Sequence, residues 1–438
     1  MNEDLRIEAH PTKNLFLFML TRDIGLSRSI LDLADNSVDG ARKLRNSGDY
    51  SEMTIRIEVN KDFFKISDNC GGMSIEVARN YAFRFGRDES TPALAHSIGQ
   101  FGVGMKRALF KMGKKFEIES VTSNSRFTVD IDVEEWRSRP NDWTFEFKDI
   151  DHEEQNPETI GTTITITELY ENVSQDFNLS SFLSNLKEEL EDAQRVNMSS
   201  GLTITLNSIP LHHDPLLLLS SDLIKPVYRT INYTEKDGKA VICKIYAGVV
   251  AERSEDNGWY IFCNGRSILE ADQSKLTGWG EKGAIPKYHP QFGFFRGYVY
   301  FDSDDASLLP WNTTKTGVDS DSNIYKAARL EMIEVMRPVI NFLNDLDNER
   351  SDKYEDKILG DAKQSARSVE LSSVQENRTF IYPKLSESTV RPNEPKQSTI
   401  SYKIESDIAI PLKDQLGLKT LADLGKYTFN YYLEMEEI

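Results

Sequence analysis

Asp32 and Asn36 stand four residues apart in the stretch Ile30-Leu-Asp-Leu-Ala-Asp-Asn-Ser-Val-Asp-Gly-Ala-Arg42. On a helix that spacing puts them one turn apart on one side. A carboxylate there can take a proton from water, and an amide oxygen can hold a hard cation. Two later stretches add to the pair. Ser67-Asp-Asn-Cys-Gly-Gly-Met-Ser74 sets the Asp68 carboxylate just ahead of Gly71 and Gly72, where bare backbone allows close approach. Gly99-x-x-Gly102-x-Gly104-x-Lys106 combines open backbone amides, the start of a helix and a cation, which are the three things a phosphate chain needs.

Together these residues match the requirements of a nucleotide. Asp68 would accept the exocyclic amine of adenine, and Gly99, Gly102, Gly104 and Lys106 would cradle the phosphates. Asn36 would ligate the accompanying magnesium, and Asp32 would position the water that attacks the γ-phosphate. Each piece alone has an ordinary reading: a solvated helix face, a hairpin turn, a surface lysine. Their order, each at a junction of strand and helix, argues for the joint reading. The glycines are not spaced as Gly-x-x-x-x-Gly-Lys-Ser/Thr, so the loop is not a P-loop. The surrounding pattern also lacks the regular βαβ alternation of a Rossmann domain.

The elements that must hold these residues follow from periodicity. Ile30, Leu33, Ala34, Val38 and Ala41 form one apolar stripe at helical spacing. Alternation predicts strands at 54–59, 63–66, 116–121, 127–133, 144–147 and 161–169, with helices at 75–83, after residue 104 and near 181–195. Residues 200–345 read as a second α/β unit, with strands at 202–206, 241–246, 259–263 and 297–301 and a long helix at 325–346 that contains Pro338. Polar composition makes 347–397 a linker. A strand at 399–404 and helices at 411–416 and 421–435 close the chain. The expected division is 1–198, 199–346, 347–397 and 398–438.

The 438 residues carry 52 Lys and Arg against 70 Asp and Glu, a formal net charge of −18. Such a chain will not coat nucleic acid nonspecifically, and any contact would need a local basic patch. The densest is Lys106, Arg107, Lys111, Lys114 and Lys115, which reads either as a DNA contact or as a solvated helix face with one phosphate lysine. Cys70, Cys243 and Cys263 lack metal-ligand spacing and suggest a reducing compartment. The acidic N-terminal stretch is no signal peptide, and the apolar run Leu15 to Leu20 is too short to span a bilayer. The expectation is a cytoplasmic protein without membrane contact.

The order of motifs resembles the GHKL ATPases, which have the Bergerat nucleotide-binding fold. Residues 31–41 resemble their N-box, Asp68 to Met73 their adenine-binding turn, Gly99 to Lys106 their phosphate loop and Gly161-Thr162 their closing strand. Residues 85–101 then fall where that family has a mobile ATP lid. The resemblance implies an α/β sandwich with a mixed, mainly antiparallel sheet under helices, binding ATP with Mg2+ through Asn36, Asp68, Gly72, Met73, Gly99, Gly102, Gly104, Lys106 and Thr162. The stretch before the helix holds one histidine, His10, which does not suit a histidine kinase. The second unit instead resembles the ribosomal-S5-like transducer domain of the MutL and MORC branch. Tyr260-Ile-Phe-Cys-Asn-Gly-Arg266 looks like its strand-turn, and Leu309-Pro-Trp-Asn-Thr-Thr-Lys-Thr-Gly317 like its lysine loop. On that match Lys315 would sense the γ-phosphate and stabilise charge in the transition state.

Two departures matter. Where the family has a catalytic glutamate this chain has Asp32, whose carboxylate is shorter by roughly 1 Å, enough to cost on the order of a hundredfold in rate. Asp35 beside it either assists or is a surface charge. Cys70 stands where the adenine turn usually has its first glycine. The C-terminal strand–helix–helix loosely resembles a ribbon-helix-helix dimerisation or docking element. The implied activity is that of an ATP-gated homodimeric clamp in a DNA-linked process such as genome maintenance or defence against foreign DNA, with partner proteins. The rival expectations are a chaperone ATPase acting on protein clients and a poorly hydrolysing scaffold.

Overall fold

The computed structural model describes residues 11–45, 48–85, 98, 103–234, 238–254, 256–312, 314–349, 357–384 and 400–436. Two units separate, residues 1–387 and residues 388–438.

The larger unit is mixed α/β. It opens with helices α1 (Lys13–Arg22) and α2 (Leu26–Leu44), then strands β1 (Thr54–Val59) and β2 (Phe63–Asp68) and the short helix α3 (Ile75–Val77). Next come α4 (Gly104–Met112), β3 (Gly113–Val121), β4 (Arg126–Asp132), α5 (Val133–Ser138), β5 (Phe147–Asp151), β6 (Gly161–Leu169), α6 (Glu171–Phe177) and α7 (Ser180–Ser199). The strands β7 (Thr203–Leu206) and β8 (Ile209–Pro210) complete the first sheet, whose order is β5-β4-β3-β6-β2-β1-β7-β8. Its pairings are antiparallel except β1 with β7, which run parallel from Thr54↔Thr203. The expected strand alternation appears directly: in β1, Ile55, Ile57 and Val59 are buried while Arg56 is exposed. Helices α4 and α7 both pack on α2, and all three contact the sheet.

The remaining strands are β9 (Leu217–Ser220), β10 (Val227–Thr234), β11 (Ala240–Val249), β12 (Gly258–Cys263), β13 (Arg266–Asp272), β14 (Phe295–Asp302) and β15 (Arg367–Glu370). Five of them form a second sheet ordered β10-β11-β14-β12-β13, with β12 and β14 parallel. Helix α8 (Asn323–Asn348) runs through Pro338 and packs on β11 and β14. Helix α7 touches β13, so the two sheets are joined next to α2.

Four expectations are corrected. The first sheet continues past residue 198, because β7 hydrogen-bonds to β1. Residues 357–384 are folded and not a linker: α9 (Ile358–Ser365) is followed by β15, which pairs with β9, and the Phe380 and Tyr382 rings pack on Phe342. The strand expected at 144–147 lies instead at Phe147–Asp151, because Trp143 and Phe145 are drawn into an aromatic cluster around Trp136. The helix at 75–83 becomes one α-turn followed by π-helical Ala78–Ala82.

In the smaller unit, α10 (Ser406–Gln415) and α11 (Leu421–Met435) contact each other. Helix α10 starts earlier than expected and contains Pro411, and α11 opens on a capping box between Thr420 and Asp423. Residues 400–404 form no strand, and residue 399 lies outside the described residues. Without that strand the described part of this unit is not a ribbon-helix-helix. Among the described residues no helix is long and apolar enough to cross a membrane.

Candidate functional site

Helix α2 carries both ends of the site. Its apolar stripe (Ile30, Leu33, Ala34, Val38, Ala41) is buried, which fixes the rotation of the helix. Asn36 is then left exposed and Asp32 nearly buried, while Asp35, offered by the sequence as a helper or a surface charge, is fully buried.

Asp35 is held from three elements. Gln194 of α7 donates to Oδ1 at 2.8 Å, Arg266 at the start of β13 has Nε 3.5 Å from Oδ1, and Lys315 donates to Oδ2 at 2.9 Å. The Lys315 ammonium also lies 3.5 Å from Asp32 Oδ1. Burial would push the Asp35 carboxyl up, but Arg266, Lys315 and Arg28 outweigh it and hold it far below the usual carboxylate range. Burial and the adjacent Arg266 push the Arg28 guanidinium down to about 10.

Lys315 reaches this point through a tight loop. Asn312 N donates to Gly317 O at 2.9 Å, and Lys315 N donates to Asn312 O at 2.9 Å. The Asn312 side chain accepts from Thr314 Oγ1 and from Thr316 N, each at 3.0 Å. Within this loop Lys315 adopts φ 53, a left-handed conformation that side chains other than glycine rarely take.

The other end lies where β2 runs into its turn. Asp68 Oδ2 accepts from Ser37 Oγ of α2 at 2.6 Å, and Oδ1 accepts from Cys70 N at 2.9 Å and Thr162 N at 3.3 Å. Burial raises the carboxyl above its ordinary value, against the downward pull of those three donors. Strand register sets Asp68 opposite Thr162. Thr162 Oγ1 lies 2.9 Å from Ser120 Oγ, which accepts from Met73 N at 2.8 Å. Gly72 has φ 64, and a Cβ there would meet Val121 O at 2.1 Å; Gly161 has φ 149, and its Cβ would meet Asp68 O at 1.8 Å. Cys70 is buried and is not among the positive-φ residues, so the turn does not need glycine there. Its carbonyl instead needs Gly40 on α2, where a Cβ would come within 2.5 Å.

Between the two ends lies the start of α4. A Cβ on Gly104 would sit 3.4 Å from Asp32 Oδ2, so the first turn of α4 faces that carboxylate. Among the described residues no side chain caps this helix, whose first amides could receive an anion. Lys106 points elsewhere: its side chain is buried, Nζ donates to Ala82 O at 2.7 Å, and burial pushes the ammonium down to about 8. Gly99, Gly102 and most of the expected lid lie outside the described residues. Among the described residues no group of three His, Cys, Asp or Glu could hold a metal, so Asn36 would have to share a cation with other ligands.

The structure thus brings Lys315 and Gly104 together beside Asp32 of α2, and Asp68, Gly72, Met73 and Thr162 beside Ser37, five residues further along the same helix. Sequence reasoning missed Ser37, Gln194 and Arg28. Ser37 follows Asn36 directly, but its partner Asp68 is remote in sequence. In the basic cluster Lys106 and Lys111 donate to Ala82 O and Thr21 O and Lys115 pairs with Glu168 of the protein itself, while Lys114 is exposed.

Gly72 and Gly161 thus let the turn, β3 and β6 pack backbone against backbone beside Asp68, whose Oδ2 accepts only from Ser37 and keeps a lone pair unused. Residues 24–162 match the family model described as histidine kinase-, DNA gyrase B-, and HSP90-like ATPase. No curated protein matches the chain.

Proposed function

From the GHKL-type ATPase domain at residues 24–162, we propose that this protein binds and hydrolyses Mg-ATP and that the second sheet reads the nucleotide through Lys315. One observation carries the reading. Lys315 comes from the loop between β14 and α8, yet its ammonium lies among the carboxylates of α2 in the ATPase domain. A cation placed there can stabilise charge developing on a transferring phosphoryl group. Asp68 would hold adenine with Gly72, Met73 and Thr162 around it. Gly99, Gly102 and the amides from Gly104 onward would hold the phosphates, joined by Lys106 only if its ammonium leaves Ala82 O. Asn36 would ligate Mg2+, and Asp32 would orient the attacking water. Lys315 and Asp32 then form the catalytic pair.

The larger reading is an ATP-gated homodimeric clamp of the MutL and MORC type. The second sheet with helix α8 would act as transducer and residues 398–438 as a dimerisation or docking element, in a DNA-linked process with partner proteins. Because Asp32 is shorter than glutamate, and Lys315 lies 3.5 Å from it, a slowly hydrolysing scaffold is the second reading.

The test is ATP turnover with magnesium, with and without double-stranded DNA, for the wild type and Asp32→Ala, together with sedimentation with and without ATP. The clamp reading expects DNA-stimulated turnover that Asp32→Ala abolishes, and ATP-dependent dimers. Stimulation by unfolded protein and not by DNA would replace the clamp with a chaperone. Dimers without turnover would favour the scaffold.

A further inference from the structure

Arg266 is a buried cation without the hydrogen bonds that a buried guanidinium normally has. Its side chain is 1% exposed, and Nε and Nη1 find no acceptor. A guanidinium in that position is unfavourable unless its charge is matched. The nearest matching charge is Asp35, 3.5 Å away.

The turn that carries Arg266 is fixed tightly to the ATPase domain. Asn264 and Gly265 take φ 44 and φ 68, which folds β12 back into β13. The Asn264 side chain clasps Ser303, donating to its carbonyl at 3.0 Å and accepting from its amide at 2.9 Å. The Asn264 carbonyl accepts from Arg42 of α2. Arg42 also donates to Asn197 Oδ1 at 3.1 Å, Asn197 donates to Gln194 Oε1 at 2.8 Å, and Gln194 donates to Asp35. The chain of bonds leads from the Arg266 turn back to the Asp35 carboxylate.

The charges facing Asp35 come from four elements. Helix α2 contributes Arg28 and Asp32, β13 contributes Arg266, the 311–318 loop contributes Lys315, and Glu189 of α7 acts on Arg28. If Lys315 alone neutralised Asp35, its departure to a phosphate would strand a fully buried carboxylate. With Arg266 in place, the carboxylate remains paired in either position of the lysine.

We propose that Arg266 is a positioning residue, the standing counter-ion of Asp35 that keeps this carboxylate paired while Lys315 turns from it to a nucleotide phosphate. This rests on the reading of Lys315 as the nucleotide sensor. On this reading Arg266 acts through Lys315, by making it free to leave.

The test compares the full-length wild type with Arg266→Met, Arg266→Lys and the double variant Arg266→Met/Asp35→Asn. The readouts are ATP turnover and hydrogen exchange over residues 311–318 with and without Mg-ATP. Arg266→Met should still bind ATP but turn it over slower, on the order of tenfold to a hundredfold if the lysine is held an ångström out of place. Arg266→Lys, which keeps the charge, should recover part of the rate. The double variant should be faster than Arg266→Met alone, an order that a merely structural role would not give. A double variant no faster than the single would overturn the inference alone. A wild type whose 311–318 exchange ignores Mg-ATP would overturn the sensor reading and this inference with it.

Discussion

Replacing Asp68 by Asn is the sharpest test of the proposed adenine site, because the structure separates folding from binding at this residue. Oδ1 is used by two backbone amides, Cys70 N and Thr162 N, while Oδ2 takes only the Ser37 hydroxyl. An asparagine can keep its carbonyl toward the two amides and turn its NH2 toward Ser37, whose hydroxyl rotates to accept. The fold should therefore persist. At Oδ2, however, the free lone pair that would receive the adenine amine becomes an N–H, and two donors then face each other. Losing a hydrogen bond to a charged acceptor and leaving the donor unpaired costs about 1.5–3 kcal/mol, or roughly 10- to 150-fold in Kd. The same N–H suits the carbonyl of guanine, so preference for ATP over GTP should narrow by more than the loss in total affinity. Calorimetric titration with ATP and GTP at pH 7.5, beside thermal unfolding, measures both. Burial keeps the Asp68 carboxyl protonated to higher pH than in the unfolded chain, so the group favours folding more as pH falls. The variant should lose that slope. An unchanged ATP Kd in a normally folded Asp68→Asn protein would refute the assignment.

Two further outcomes follow from the same geometry. Asp32→Glu restores the missing methylene, and turnover should rise toward a hundredfold if reach alone limits hydrolysis; steady-state phosphate release would read it, and no gain would put the limit elsewhere. Lys106, pushed down to about 8 by burial, releases its proton in the folded protein before the unfolded chain does, so stability should rise with pH between about 8 and the unfolded value near 10.4. Lys106→Met should flatten that rise, which urea unfolding at pH 8 and pH 10 would show, and should weaken ATP binding only if the ammonium leaves Ala82 for a phosphate.

Elements with strong periodicity were legible from sequence. The stripe of α2, the alternation of β1 and the Gly71-Gly72 turn each follow from local residue choice. What sequence could not supply was partnership over distance. Asp35 reads as well as a surface charge as a helper because its lysine lies 280 residues away and its arginine sits on another sheet. Lys13 is the same case: its ammonium is buried over the Trp136 ring at 3.7 Å and donates to Trp136 O and Asp142 O, each at 2.6 Å. The segment 357–384 reads as linker because its few anchors, among them Leu359, Phe380 and Tyr382, are too sparse for a period. They hold because α8 and β9 offer preformed surfaces.

The two ends of the site, at Asp32 and at Ser37 of α2, differ in what completes them, and on the proposed reading this divides binding from turnover. The base end is built within the first sheet: Asp68, Gly72, Thr162 and Gly161 belong to β2, its turn and β6, and Ser37 to α2. The water end is incomplete without the second sheet and its connections, since Arg266 arrives from β13, Lys315 from the loop after β14 and Gln194 from the helix that touches β13. Substitutions at Asp68 or Ser37 should therefore act on ATP affinity. Substitutions at Lys315, Arg266 or Gln194 should act on rate while leaving affinity nearly intact. A nucleotide can thus dock before the second sheet commits, and the step from docking to hydrolysis becomes the point at which the rest of the molecule can exert control.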